Sequence, residues 1–116
     1  MSKATIMSPP DSNRVIHHTE AGAVTADDVV LATGRVLVAY SDIDASVEGM
    51  YYHQVDELEH AKAAVAIAAL ETAYWDDVAK VFTNVVTANT KCGMFRKSAL
   101  IGDATANVRL DNTVNL

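Results

Sequence analysis

Five places in this 116-residue chain carry side chains whose type and spacing could do chemistry. Glu57-x-x-His60 has the spacing of half a carboxylate-bridged di-iron site on a helix, but such a site needs a second copy and further glutamates from other helices. No second copy is present. Asp76-Asp77 could be imagined as an acid–base pair. Adjacent residues on a strand face apart, however, and Asp is a favoured turn former, so the pair reads as turn chemistry. Cys92 follows Lys91, which could lower a thiol pKa, but no motif supplies a base, and a structural thiol is the better reading. His17 and His18 fall on opposite faces of a strand and are poorly placed to share a metal. Asp42-x-Asp44-x-Ser46 opens like a calcium loop, but the sixth position is Val47 instead of Gly and the twelfth is His53 instead of Glu. No phosphate loop, nucleophile elbow or HExxH motif occurs. These residues point to no catalytic role, no metal and no cofactor.

The elements that would position them are mostly short β-type runs. Arg14-Val15-Ile16-His17-His18-Thr19 is one. Val29-Val30-Leu31-Ala32 and Arg35-Val36-Leu37-Val38-Ala39-Tyr40, around Thr33-Gly34, read as a hairpin. Val47 to Val55, with Tyr51 and Tyr52 paired inside it, reads as a further strand. Val81-Phe82-Thr83, Val85-Val86-Thr87, Cys92 to Arg96 and Ala106 to Leu110 follow, broken by Asn-rich and Gly-containing turns. Seven or eight strands at this spacing predict a mainly β, small barrel- or sandwich-like domain.

Residues 55–82 carry two patterns. Val55, Leu58, Ala61, Val65, Ala68, Trp75, Ala79 and Phe82 recur at helical spacing in an Ala-, Glu- and Lys-rich stretch. Val65-Ala66-Ile67-Ala68 instead alternates as a strand would, and Tyr74-Trp75-Asp76-Asp77 looks like strand then turn. Periodicity leaves the two nearly even. One short helix within 56–70 is therefore kept in the expected fold, and a small helical adaptor or metal-binding domain centred on 55–82 is the alternative function.

The ends read differently. Residues 1–13, with Ser8-Pro9-Pro10-Asp11-Ser12-Asn13, exclude helix and central strand and predict an extended N-terminal arm ahead of a single β-rich domain over 14–116. The Asn-rich tail from Asp111 reads as loop or arm. The net charge of −6 and scattered Lys and Arg argue against direct nucleic-acid contact. The lone cysteine fits synthesis in a reducing cytoplasm, and no apolar run approaches a membrane span. Half the residues are hydrophobic, yet only seven are aromatic, so the core is thin and subunit contacts would help it. Tyr51, Tyr74 and Trp75 are candidate anchors for a core or an interface.

Several short motifs, in order, resemble the cement or head decoration proteins of tailed bacteriophages. They are Lys62, Ala66-Ile67-Ala68, the Ala73 to Asp77 strand and turn, Val81-Phe82-Thr83, the Asn89-Thr90-Lys91-Cys92-Gly93 turn, and Val108-Arg109-Leu110. The likeness covers about residues 60–110; the first half matches only in general pattern. Before the Tyr-Trp strand the family usually has Gly, where this chain has Leu70-Glu71. The resemblance implies a mainly β, non-enzymatic virion protein, made in the host cytoplasm, that trimerises on the outer surface of the major capsid protein shell and stabilises the mature head. Ile6, Pro9 and Pro10 of the arm, with Tyr51, Tyr74 and Trp75, are the expected capsid or subunit contacts.

Overall fold

The computed structural model describes residues 4–7 and 14–111, and within them the chain is all sheet. Its strands are β1 (Thr5–Ile6), β2 (Arg14–Thr19), β3 (Val29–Ala32), β4 (Arg35–Ala39), β5 (Glu48–Ala61), β6 (Thr72–Asp76), β7 (Val81–Thr83), β8 (Thr90–Phe95) and β9 (Thr105–Asp111). The order β3-β4-β5-β9-β8-β6-β7 forms one antiparallel sheet, with β1 and β2 also paired to β5. The sheet curls into a half-barrel. A parallel bridge between Lys62 and Phe82, with the Ala63 N–H donating to the Phe82 carbonyl at 2.9 Å, brings β7 back to the end of β5.

β5 organises the fold. Its first half is flanked by β2 and β4, which both pair at Tyr51 and Tyr52, and its second half by β1 and β9. Between Val55 and Leu58 it gains one residue against β9: Val55 pairs with Leu110 and Leu58 with Val108. This bulge lets two residues three apart face the same side, and both are fully buried. Trp75, Phe82, Phe95, Val108 and Leu110 complete the main core. Burying Trp75 alone contributes roughly 4–6 kcal/mol of gross transfer free energy.

β4 is buried on both faces. Val36 and Val38 enter the main core, whereas Leu37 and Ala39 join Tyr51, Val24 and Ile43 in a second cluster on the other side. Such two-sided burial is why Arg35–Ala39 reads as a continuous apolar run. Its hairpin to β3 turns at Thr33 and Gly34, both with positive φ (52° and 76°), the signature of a type I′ turn.

The structure corrects three expectations. There is no short helix within 56–70: residues up to Ala61 continue β5, and 62–71 form a loop carrying the Lys62 and Ile67 bridges. The helical alternative centred on 55–82 fails for the same reason, because the segment contains the end of β5, then β6 and β7. Val85-Val86-Thr87 is loop, not strand. The mainly β, barrel-like expectation stands. Within the expected arm, Thr5 and Ile6 pair with Glu59 and Leu58, and Ala4 is buried. Pro9, Pro10 and residues 112–116 lie outside the described residues. Asp111 closes β9.

Candidate functional site

The residues suspected of chemistry are dispersed by the fold. Glu57 accepts a hydrogen bond from Asn107 Nδ2 at 2.7 Å, while His60, an odd number of residues on, turns inward. There its ring lies edge-on to Trp75 and Phe82, with centroids 5.3 and 5.4 Å away, and burial lowers its pKa. Nothing brings the two together. Among the described residues no group of three His, Cys, Asp or Glu side chains could hold a metal ion.

Asp76 and Asp77 are both used by their own turn. Asp76 Oδ1 accepts from the backbone N–H groups of Val78 (3.1 Å) and Ala79 (3.0 Å), an Asx-type turn. Asp77 Oδ1 accepts from Trp75 Nε1 at 2.9 Å and from Lys80 Nζ at 2.8 Å. Burial pushes the Asp77 carboxyl up, but these two hydrogen bonds and the Lys80 charge outweigh it and leave its pKa lowered. Cys92 is fully buried, its Sγ against the Ala73 carbonyl, and burial pushes the thiol pKa far up. Lys91 does not activate it.

Of the expected contact residues, Ile6 packs partly buried on the main core and Tyr74 is half-buried on β6. Tyr51 and Trp75 are fully buried. The Tyr51 hydroxyl is enclosed without a hydrogen-bond partner among the described residues, and its ring meets His18 edge-on at 5.3 Å.

Strand directions place the loops at two ends. Residues 62–71 and 96–104 share one end, because Ala61 pairs with Thr105, Phe95 with Val108, and Thr72 with Met94. Loop 84–89 lies beside them, with Asn84 Nδ2 donating to the Ala66 carbonyl at 3.0 Å. Ile67 and Ala99 exchange both backbone hydrogen bonds at 2.9 Å, and Ala69 N–H donates to Ser98 Oγ at 3.2 Å. Lys62 is buried, and its ammonium donates to the carbonyls of Ala63 (3.0 Å), Val65 (2.8 Å) and Ile101 (3.5 Å), tying two of these loops together. These loops carry exposed aliphatic side chains: Leu70, Leu100 and Ile101, with Val85 and Val86 on the loop that runs back toward Thr90 beside Trp75. Sequence patterning did not single out these residues, because they come from three separate loops.

Loops 20–28 and 40–47 and the β6–β7 turn occupy the opposite end, joined by the Val24–Ile43 bridge and the Thr19–Glu48 pair. This end is strongly acidic. A cavity of about 580 Å³ opens there between β3 and the β6–β7 turn, lined by Glu20, Val24, Asp28, Val30, Asp77 and Lys80, among others. Asp28 is buried beneath it, its carboxylate held by the Thr25 N–H and hydroxyl.

Two positions named by the ordered motifs acquire a physical reason. Gly93 lies so close to β9 that a Cβ there would run into the Arg109 carbonyl oxygen. Leu70, where the motifs expect glycine, holds a left-handed φ of 76°. Residues 10–110 match the family described as phage cement protein. No curated protein and no solved structure matches the chain. The chain belongs to the phage cement protein family.

Proposed function

We propose that this chain is a capsid decoration protein that binds the outer surface of the major capsid protein shell and stabilises the mature head. The match over residues 10–110 carries this reading. The small all-β domain supports it, since its acidic pair, His60 and its thiol serve packing or turns. The protein is made in the host cytoplasm, joins the head as a homotrimer, and has no enzymatic step. A trimer engages several shell subunits at once and gains avidity without any single strong contact.

The contact set includes Ile6, Pro9, Pro10 and Tyr74, with Tyr51 and Trp75 bracing it from inside the domain. Pairing of Thr5 and Ile6 with β5 favours this role for the arm, because chain already held on the sheet adds contact area at a smaller ordering cost. The test is to heat heads lacking the protein, with and without it added back, and to follow release of packaged DNA. Add-back should raise the temperature of release. An unchanged release temperature at saturating protein would overturn the reading.

A further inference from the structure

The end formed by loops 62–71, 84–89 and 96–104 combines three features. It is stitched by the Ile67–Ala99 bridge, the Asn84 and Ser98 side chains and the buried Lys62 ammonium. It exposes large aliphatic side chains: Leu70 and Leu100 at 73%, Ile101 at 64% and Val86 at 61%. Its charge also differs from the rest of an acidic protein. Glu71 and Asp103 cap the backbone N–H groups of Ala68 and Leu100 and keep their charge, and with exposed Arg96 and Lys97 and buried Lys62 the three loops hold three cations against two carboxylates.

We propose that this end is a further surface that seats on the capsid shell, in addition to the arm contacts, against an apolar patch rimmed by carboxylates; the proposal rests on the decoration reading above. Leu70 is the strongest single pointer. It is exposed, and it holds a left-handed backbone (φ 76°) that disfavours any side chain, so the isolated domain gains nothing from having leucine there. Several large aliphatic side chains exposed on loops that are hydrogen-bonded to one another mark an interaction site. The hydrogen-bonded loops are preorganised, which lowers the ordering cost of docking. The outward cations select an acidic partner surface.

A second copy of the chain fits this surface poorly. Two such ends face to face would oppose Arg96 and Lys97 with like charges. Docking this end on the acidic opposite end of a neighbour would give an open filament, not a closed ring.

The test measures binding to heads lacking the protein. Wild type is compared with Leu70→Gly, with the Leu100→Ser/Ile101→Ser pair, with Lys97→Glu, and with Asp42→Asn/Asp44→Asn at the opposite end. Leu70→Gly relieves backbone strain, so its folding is secure, and it should melt higher while binding more weakly. That combination would not arise from a purely structural leucine. The apolar variants should weaken binding by about tenfold or more, as expected for losing buried aliphatic contact. Lys97→Glu should weaken it most at low salt, and the opposite-end pair should bind as wild type does. If wild type binds and the loop-end variants bind equally well, the proposal is overturned while the decoration reading survives. If those variants lose self-association in sedimentation but keep full occupancy, the surface is homotypic and the proposal is likewise overturned. Wild type that does not bind heads overturns the decoration reading, and the proposal with it.

Discussion

Trp75 donates its indole N–H to the carboxylate of Asp77, two residues on, at 2.9 Å. The same oxygen accepts from Lys80. One carboxylate thus satisfies the polar atom of the largest buried side chain and closes the turn that follows. Asp77→Ala should cost about 1–2 kcal/mol, because the indole N–H loses its partner and the Lys80 pair is broken. Asp77→Asn should cost less, since an amide oxygen can still accept from the indole. Urea unfolding followed by Trp75 fluorescence measures both.

His60 should make stability depend on pH. Burial holds its folded pKa below the ordinary value, so the native state favours the neutral ring and the unfolded chain binds the proton more readily. The stabilisation is complete above about pH 6.5 and is lost as pH falls from there toward the folded pKa, at up to about 1.4 kcal/mol per pH unit. Denaturation curves should show lower stability at pH 5.5 than at pH 7.5 from this group. His60→Phe, which keeps a ring against Trp75 and Phe82, should remove that part of the dependence.

Thr33 is a β-branched residue at φ 52° in the first position of a type I′ turn. Asn tolerates that conformation far better. Thr33→Asn should stabilise the β3–β4 hairpin by about 0.5–1 kcal/mol, read as a rise in the thermal midpoint.

Gly93 should tolerate no side chain. A Cβ would meet the backbone of β9 and not a movable side chain, so Gly93→Ala must push β8 from β9 or fail to fold. A loss of about 2–4 kcal/mol is expected. Gly34→Ala, with open space at its Cβ, should cost only the strain of its positive φ, about 1 kcal/mol. Unfolding midpoints of the two variants should separate clearly.

The hairpin at Thr33-Gly34, the Asp76-Asp77 turn and the closing Val108-Arg109-Leu110 strand were legible because each depends on local chemistry: positive-φ turn residues, Asx capping and period-two burial. The 55–58 segment was not. Val55 and Leu58 stand three apart, which mimics a helix face, and only the bulge against β9 turns both inward on a strand. Bulges arise from pairing with a distant strand, so no local pattern announces this one. Val85-Val86-Thr87 misled in the other direction: strand-like residues lie in a loop with Val85 and Val86 exposed. Tyr51 and Trp75 were recognised as anchors, but whether an anchor faces core or surface depends on the curl of the whole sheet. The loops that carry Leu70, Val86 and Leu100 were unreadable for a related reason, since they come together only through hydrogen bonds between distant segments.

The most direct test is co-sedimentation of the purified protein with expanded heads and with unexpanded shells of the same virus. The decoration account predicts saturable binding to expanded heads, at a fixed ratio to the major capsid protein, and little binding to unexpanded shells. Failure to sediment with expanded heads, at protein concentrations well above those of the virion assembly reaction, would contradict it.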